Sequence, residues 1–384
     1  MTPPRHATPP ALGPIRQVVL QSTGFCNIDC AYCYLPDRRT RTVMPLDTVR
    51  ATAQALSDSG LLAPELEVRW HAGEPLTVAR PFYAQAHALL RRALGDRTRL
   101  SFSLQTNGLL LDGGWADFLR REEVRVGVSL DGPAQVHDAY RRTRGGAGTL
   151  ARALKGTRHL VQAGLPYDVI SVITPVTLAH TGAYLDFMAE LAPRSLGLNP
   201  EETEGGNDSA LHRADGFERE YRAFLRRVAR WSERTGVEVR EFAAMRRHVL
   251  HHALPVRNTQ NEPLSIVTVG ADGRVSSFSP ELFGWTSARY GDFTAGRVTD
   301  PGFRFDRWPD TFRLLASDIE RGRAACERTC AYYAVCGGGA PANKWAERAD
   351  MAATSTAFCS LGVMAVADVV LDGLELDGLE TASR

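Results

Sequence analysis

The residues best suited to chemistry are three cysteines near the N-terminus. Cys26, Cys30 and Cys33 stand in the order Cys-Asn-Ile-Asp-Cys-Ala-Tyr-Cys, directly after an apolar run. Three thiolates at this spacing can hold one face of an iron–sulfur cluster and leave one iron without a protein ligand. Zinc is the alternative, but it needs a fourth ligand at short spacing, and no cysteine or histidine follows before His71. The spacing therefore favours a cluster that can bind a small molecule at its open iron.

The other four cysteines lie towards the C-terminus. Cys326, Cys330 and Cys336 precede three glycines, and Cys359 follows later. Four thiolates saturate an iron–sulfur cluster, which can then only transfer electrons, but they also suit a structural zinc. The glycines at 337–339 allow backbone N–H groups to approach sulfur and tune the potential of a cluster. From the residues alone, both metals remain open at this position.

The composition favours metal ligation over disulfides. The chain has 384 residues, seven cysteines, and 45 basic against 44 acidic residues. A chain of this length buries a large core without disulfides, and its first 14 residues lack the apolar core of a signal peptide. The balanced charge gives no attraction to nucleic acid or to an anionic membrane, and the late apolar run at 361–367 ends at Asp368. We therefore expect a cytoplasmic protein that binds neither nucleic acid nor membrane.

Apolar strands alternate with helical segments from residue 15 to about 200. This alternation is typical of βα units around a parallel sheet, and six units predict an incomplete (β/α)6 barrel of the α/β class. The ligand site of such a barrel lies at the carboxyl ends of its strands. The predicted strands are Arg16–Gln21, Glu67–His71, Ser101–Gln105, Val126–Leu130, Asp168–Ile173 and Ser195–Asn199.

The pattern changes after residue 260. A hairpin is predicted over Ser265–Phe278, turning at Asp272-Gly273, and it leads into the region of the last four cysteines. Before it, Phe217–Arg234 predicts a helix that covers the barrel with one apolar face. The predicted domains are a flexible tail at 1–14, the barrel at 15–240, a helical linker at 241–262, an auxiliary domain at 263–372 and a C-terminal tail at 373–384.

Polar segments follow the predicted strands at the edge where a barrel places its ligand. Trp70–Pro75 follows the second strand, Gln105–Gly108 the third, and Ser129–Pro133 the fourth. Asn-Gly and Asp-Gly-Pro are also ordinary turn sequences. Their meaning therefore depends on their order behind the three-cysteine loop.

That order resembles the radical S-adenosylmethionine (SAM) superfamily. The CxxxCxxC spacing with Tyr32 before its last cysteine is similar to the cluster motif of the family, and Ala72-Gly73-Glu74-Pro75 is similar to its GGEP motif with one glycine replaced. The resemblance implies a 4Fe-4S cluster on the first three cysteines, with SAM bound beside it. An arginine among 141, 142, 144 and 152 is expected to reach SAM, and Arg142 is our candidate. The other implied SAM contacts are Tyr32, Ala72, Gly73, Glu74, Gln105, Asn107, Ser129 and Asp131.

The last four cysteines resemble the SPASM or twitch extension of radical SAM peptide maturases. This implies a C-terminal SPASM/twitch-like domain with a second, auxiliary 4Fe-4S cluster on Cys326, Cys330, Cys336 and Cys359. Members with two auxiliary clusters carry more cysteines around the preceding hairpin, which has none here, so one auxiliary cluster is expected. Three further segments resemble the cyclophane-forming maturases: Asn199–Gly205, Ser279–Gly284 and Cys336–Lys344.

This resemblance implies that a 5′-deoxyadenosyl radical joins an aromatic ring carbon to the β-carbon of a nearby residue in a ribosomally made precursor peptide. A flavodoxin or ferredoxin is the expected reductant. Glu281 and Glu201 are candidate bases for the ring proton, with surface carboxylates as the alternative. Formylglycine-type oxidation, thioether formation and epimerisation are alternative reactions, although the two cysteine groups leave no free thiol for an epimerase. A non-catalytic iron–sulfur or zinc peptide-binding protein is the remaining alternative.

Overall fold

The computed structural model describes residues 12–36, 38–250 and 256–382, with side chains described through residue 374. Most of the predicted N-terminal tail, residues 251–255 of the predicted linker and the last two residues of the predicted C-terminal tail lie outside these ranges. None of the helices within them is long and apolar enough to cross a membrane.

A ten-stranded sheet forms the centre of the fold. All six predicted strands are confirmed, as β1, β3, β4, β5, β7 and β8 of the following series. The strands are β1 (Ile15–Leu20), β2 (Ile28–Cys30), β3 (Leu62–Trp70), β4 (Arg99–Thr106), β5 (Val124–Ser129), β6 (Arg141–Thr143), β7 (Tyr167–Ile173), β8 (Ser195–Pro200), β9 (Glu238–Val239), β10 (Ile266–Val269), β11 (Arg274–Ser277) and β12 (Gly296–Arg297). The order in the sheet is β12-β11-β10-β1-β3-β4-β5-β7-β8-β9, while β2 pairs with β6 in a separate ribbon. Neighbours from β10 to β9 pair in parallel, as a barrel requires.

Helices follow the barrel strands and cover the outside of the sheet. They are α1 (Leu46–Ser59), α2 (Arg80–Leu94), α3 (Gly113–Arg121), α4 (Ala134–Tyr140), α5 (Leu150–Gln162), α6 (Pro175–Ala179), α7 (Thr181–Leu191), α8 (Ala210–Arg213), α9 (Phe217–Thr235), α10 (Arg240–Leu250), α11 (Asp310–Thr329), α12 (Tyr333–Cys336), α13 (Pro341–Arg348) and α14 (Ala365–Ala382). Short 3-10 turns occur at Pro75–Thr77 and Pro280–Leu282, and a π-helix at Cys359–Met364. The predicted apolar face of α9 is confirmed, because Tyr221, Phe224, Leu225 and Val228 are buried.

The two faces of the barrel strands differ in polarity. On β3, Leu66, Val68 and Trp70 are fully buried against the helices. The alternate residues Glu67 and Arg69 line the barrel interior, which contains a cavity with an empty volume of about 680 Å³. Because successive side chains of a strand point to opposite faces, one apolar side packs the core and the other gives the barrel a polar interior.

The C-terminal region is built onto the first strand of the barrel. The predicted hairpin is confirmed as β10 and β11, and β10 pairs in parallel with β1, so the sheet is continuous through the expected domain boundary. A second apolar core forms here around Phe278, Phe293 and Phe312. Residues 373–382, expected to be a tail, instead continue α14, which packs on α9.

Candidate active site

The three-cysteine loop begins where β1 ends, at the carboxyl edge of the sheet. Cys30 is the last residue of β2 and lies opposite Arg141 in the antiparallel pair with β6. The backbone N–H of Cys33 donates to the carbonyl of Cys30 (3.3 Å), which closes the loop. The thiols of Cys26, Cys30 and Cys33 lie close enough to interact electrostatically. The structure therefore places the three predicted ligands in one loop.

Burial makes the thiols of Cys26 and Cys30 difficult to ionise without a compensating positive charge. It raises the pKa of Cys26 to about 11, with the nearby Glu74 adding to the effect, and the pKa of Cys30 to about 12. Cysteine ligates metals as the thiolate, and the positive charge of the metal offsets the cost of a buried anion. The donor set therefore fits a metal centre.

Two N–H groups point at the sulfur atoms of this loop. Asn107 Nδ2 lies 3.8 Å from Cys26 Sγ, and Arg141 Nη1 lies 3.8 Å from Cys30 Sγ. Asn107 Nδ2 also donates to Asn27 Oδ1 (2.7 Å). Donors of this kind orient cluster ligands and tune cluster potentials. Asn107, predicted to contact SAM, thus directs its amide at the three-cysteine loop.

The loop after β3 packs directly on the three-cysteine loop. Gly73 has a φ of +61°, and a Cβ there would lie 2.5 Å from the carbonyl oxygen of Thr23 and 2.7 Å from that of Phe25. The N–H of Glu74 donates to the same Phe25 carbonyl (2.7 Å). Ala72 has a φ of +72°, in the left-handed region that favours glycine. The missing glycine of the GGEP motif therefore leaves backbone strain at Ala72.

The carboxylate of Glu74 joins two loops of the barrel. It is 1% exposed and accepts hydrogen bonds from the N–H of Leu76 (3.0 Å), the hydroxyl of Thr106 (2.7 Å) and the N–H of Asn107 (2.8 Å). Burial raises its pKa to about 7. Through these three donors the side chain of Glu74 positions the loops after β3 and β4.

Asp131 is the centre of a second buried network. Its carboxylate forms an ion pair with Arg141 (Oδ2 to Nε, 2.9 Å) and accepts the N–H of Val172 (3.0 Å). The hydroxyl of Tyr32 donates to the same carboxylate. Tyr32 and Asp131, both predicted to contact SAM, therefore bond to each other beside the three-cysteine loop.

The structure distinguishes the four arginines by their burial. Arg141 is 6% exposed and faces Cys30, whereas Arg142 is exposed and donates to a backbone carbonyl of α4 (2.9 Å). Arg144 and Arg152 are also exposed. Neighbouring residues of a strand point to opposite sides, so a shift of one position along β6 exchanges the buried arginine for a surface one. The spacing of the sequence carried no signal that could make this choice.

Gln105 and Ser129 lie together inside the barrel. The amide of Gln105 donates to the Ser129 hydroxyl (2.9 Å). A side chain at Gly127, on the neighbouring strand, would overlap the amide oxygen of Gln105. Gln105 also lines the cavity of the barrel interior. Of these two predicted SAM contacts, Gln105 faces the open space and Ser129 is bonded to it.

The last four cysteines surround a single cavity. Cys326, Cys330, Cys336 and Cys359 all line it, and its empty volume is about 290 Å³. Cys326 belongs to α11, Cys336 ends α12 and Cys359 begins the π-helix, a rare element that is frequent at functional sites. Among the residues described, no three cysteine, histidine or acidic side chains meet closely enough to hold one metal ion. The thiols thus enclose a space, with glycine backbone on one side.

The glycines after Cys336 shape that side. Gly337, Gly338 and Gly339 all have positive φ, and the N–H groups of Gly338 and Gly339 lie near enough to the Cys336 sulfur to favour its thiolate. Asn261 Nδ2 donates to the carbonyls of Gly337 (2.8 Å) and Gly339 (3.2 Å), which fixes the turn. The approach of glycine N–H groups to sulfur matches the arrangement predicted from the sequence.

A cluster of carboxyl groups, Glu202, Glu204 and Glu281, lies beside the four-cysteine region. Asn343 of α13 donates to Glu202 and lies 3.5 Å from Glu204 Oε1. Burial raises the pKa of Glu202 to about 7, and burial together with the charges of Glu202 and Glu281 raises the pKa of Glu204 well above its ordinary value. Burial and the neighbouring carboxylates therefore favour the protonated form of Glu204. We call these three residues the carboxyl cluster.

Glu281 is the member of the carboxyl cluster with a free acceptor. Its Oε2 atom is buried and has no hydrogen-bond partner among the described residues, and burial raises its pKa. An unpartnered buried oxygen is costly unless a ligand meets it. Glu201, the other predicted base, accepts the N–H of Leu211 (3.2 Å) and caps α8, so the structure places it outside the cluster. Glu202 and Glu204 follow Glu201 in the segment Asn199–Gly205, but they were not predicted as site residues.

Two glycines explain why the segments Asn199–Gly205 and Ser279–Gly284 lie at this site. A side chain at Gly205 would overlap the backbone carbonyl of Tyr34, and a Cβ at Gly284 would lie 3.0 Å from the ring of Pro36. Both segments thus pack on the chain that follows Cys33. Tyr34 interacts electrostatically with Cys33 and with the carboxyl cluster, which places it between them.

The comparisons with known proteins agree with this architecture. Residues 20–188 match the family model of the Radical SAM superfamily, a range that contains the first three cysteines and the loops after β3, β4 and β5. The uncharacterized protein sll1766 of Synechocystis sp. is 34% identical over 370 residues, covering 94% of this chain and 93% of that protein. The chain belongs to the radical SAM superfamily. The similarity between this radical SAM protein and sll1766 thus extends over nearly the whole length of the chain.

Other relatives match a part of the chain or its fold. The serine-type anaerobic sulfatase-maturating enzyme of Klebsiella aerogenes is 32% identical over 183 residues, 47% of this chain and 45% of the enzyme. Among solved structures, anSMEcpe with bound AdoMet has a TM-score of 0.73 at 18% identity and covers 94% of this chain and 97% of its own. SuiB of Streptococcus suis bound to precursor peptide SuiA has a TM-score of 0.61 at 12% identity, with coverage of 90% and 77%. The predicted fold, an α/β radical SAM fold with a partial (β/α)6 barrel, is confirmed.

Proposed function

We propose that this radical SAM protein is a peptide maturase that binds SAM at a 4Fe-4S cluster held by Cys26, Cys30 and Cys33. The four-cysteine cavity would hold one auxiliary 4Fe-4S cluster. When bound, these groups supply a 5′-deoxyadenosyl radical and an acceptor for one electron. The three thiols of one loop, with N–H donors at Cys26 and Cys30, and the thiol-lined cavity with its glycine N–H groups, support both assignments.

A ribosomally made precursor peptide is the proposed substrate, and a flavodoxin or ferredoxin the proposed reductant. Peptides are bound by two of the structural neighbours, SuiB with SuiA and anSMEcpe with the Cp18Cys peptide. The fold likeness does not by itself specify the reaction. The reaction is proposed from the groups that this chain places beside its cysteines.

The proposed reaction is an oxidative cross-link between an aromatic ring carbon and the β-carbon of a nearby residue. The peptide loses one hydrogen atom from the β-carbon, and the ring loses one electron and one proton. Glu281 would accept that proton, because Oε2 is buried and has no hydrogen-bond partner among the described residues. This free oxygen, in a carboxyl cluster that α13 connects to the four-cysteine cavity, is the observation that carries the proposal.

The test is co-expression of a candidate precursor peptide, taken from a neighbouring small reading frame, with the protein and its variants. The unmodified chain should remove two hydrogens per modified site, and Cys30→Ala should remove none. When the aromatic residues of the peptide carry ring deuterium, the product should lose one deuterium from the ring. Glu281→Gln should reduce product formation at least tenfold, whereas the matched change Glu201→Gln should retain it. Loss of two hydrogens with all ring deuterium retained would rule out the cyclophane and leave the maturase.

Formylglycine-type oxidation is the second candidate, favoured by the 32% identity to a serine-type anaerobic sulfatase-maturating enzyme. Oxidation of a serine to an aldehyde also removes two hydrogens, so mass alone does not separate the two reactions. An aldehyde reacts with a hydrazide probe and leaves the aromatic rings unchanged. Hydrazide labelling together with full ring deuterium would therefore establish this reaction in place of the cross-link.

A further inference from the structure

Lys344 is a buried lysine at the four-cysteine cavity. It is 3% exposed, and its Nζ lies 3.8 Å from Cys326 Sγ. No ion pair between Lys344 and a carboxylate occurs within the part of the chain that the structure describes. A buried ammonium is costly unless a negative group meets it. The sulfur of Cys326 is therefore its partner.

The residue type at this position is itself informative. The chain contains 45 basic residues, of which just two, Lys155 and Lys344, are lysines. Lys155 is exposed on α5, so the one buried lysine faces a cysteine. Lysine carries a compact point charge, whereas arginine carries a wide planar one. A chain that uses arginine almost everywhere places the smaller cation at this cavity.

The surrounding contacts fix the ammonium in place. Next to it on α13, Asn343 donates to Glu202 of the carboxyl cluster, which ties the helix to the barrel. On the other side, Glu347 accepts the N–H of Phe358, directly before Cys359. A Cβ at Gly339 would lie 3.6 Å from Lys344 Cε, so the glycine leaves room for the lysine beside the cavity.

We propose that Lys344 sets the reduction potential of the auxiliary cluster; the inference rests on the proposed function, because it requires a cluster in the four-cysteine cavity. Uptake of one electron makes the cluster and its thiolates more negative by one charge, and the lysine is not consumed. A buried cation 3.8 Å from a ligand sulfur stabilises the reduced state, since little water screens the charge. Lys344 would thus make the cavity a better electron acceptor, while its neighbour Asn343 contacts the carboxyl cluster proposed to take the proton.

The test is a redox titration of the full chain, monitored by electron paramagnetic resonance. The chain carries Cys26→Ala, Cys30→Ala and Cys33→Ala, so that one cluster is left to observe. In this background Lys344→Met should lower the ratio of reduced to oxidised cluster at a fixed potential about tenfold, equivalent to about 59 mV for one electron. Lys344→Arg, which keeps the charge, should shift that ratio less than threefold. Lys155→Met, the same change on the surface, should leave it unchanged.

The outcomes separate the inference from the function on which it rests. Iron and acid-labile sulfide are measured in every sample. An unchanged potential in Lys344→Met with full iron content overturns the role of Lys344 and leaves the cluster assignment standing. If Lys344→Met loses its iron, the comparison is made between Lys344→Arg and Lys344→Gln. Equal reduction potentials of these two variants overturn the role of Lys344. Zinc without sulfide in the parent protein overturns the cluster itself.

Discussion

Replacing Gly73 with alanine tests whether the loop after β3 depends on close backbone approach to the three-cysteine loop. The φ of +61° costs an L-residue roughly 1–2 kcal/mol. The added Cβ would also lie 2.5 Å from the Thr23 carbonyl oxygen and 2.7 Å from that of Phe25, which forces backbone atoms apart. Overpacking of this kind costs typically about 1–3 kcal/mol. The free energy of unfolding should therefore fall by roughly 2–5 kcal/mol.

Gly60 supplies a matched control. It has a φ of +65° at the end of α1, and a Cβ there would meet no atom within 4 Å. Gly60→Ala should therefore cost only the backbone term of roughly 1–2 kcal/mol. Urea unfolding of the two variants, with the iron content of each, measures the difference. Gly73→Ala should be less stable than Gly60→Ala by about 1–3 kcal/mol and should lose iron at the three-cysteine site.

Equal destabilisation of the two variants would refute this reasoning. In that case the left-handed backbone alone would account for glycine at position 73. Retention of iron in Gly73→Ala at wild-type level would likewise show that the contact of the two loops does not hold the three thiols in place.

Further expectations concern charged side chains. Arg141→Met removes the cation from the buried carboxylate of Asp131 and should lower the free energy of unfolding by about 3–5 kcal/mol. Arg142→Met should lie within about 0.5 kcal/mol of wild type in urea unfolding, and equal effects of the two changes would contradict the different burial of the two arginines. Glu201→Gln should lower the free energy of unfolding by about 1 kcal/mol, because Glu201 accepts an N–H of α8, but it should leave peptide modification intact. Glu281→Gln should abolish peptide modification, while the chain still unfolds at a similar urea concentration. The pKa of Glu202 is raised to about 7, so the folded state holds its proton more tightly than the unfolded chain, and stability is lost as pH rises from about 5 to 8. Glu202→Gln should therefore gain about 1–3 kcal/mol relative to wild type between those pH values, and a pH-independent difference would disprove this.

The barrel strands could be predicted from the sequence because strand and helix periods are local properties. These periods are set by neighbouring residues, so the positions of β1, β3, β4, β5, β7 and β8 follow from the alternation of apolar segments. The first three cysteines lie within eight residues and need no tertiary structure to meet. The parallel order of the strands then places the loops that follow them at one edge.

The tertiary structure decided the roles of individual polar side chains. Glu74 and Asp131 lie in loops that the motifs identify, yet their partners come from other loops. The choice of Arg141 over Arg142 depends on which face of β6 meets the three-cysteine loop.

The carboxyl cluster depends on contacts between distant segments. Glu202 and Glu281 are far apart in the chain and meet because glycines in both segments allow close packing on the residues after Cys33. Lys344 likewise acquires its sulfur partner only when α13 lies beside α11. Sequence pattern therefore determined where chemistry occurs, and the direction of each side chain, set by packing between remote segments, determined which group performs it.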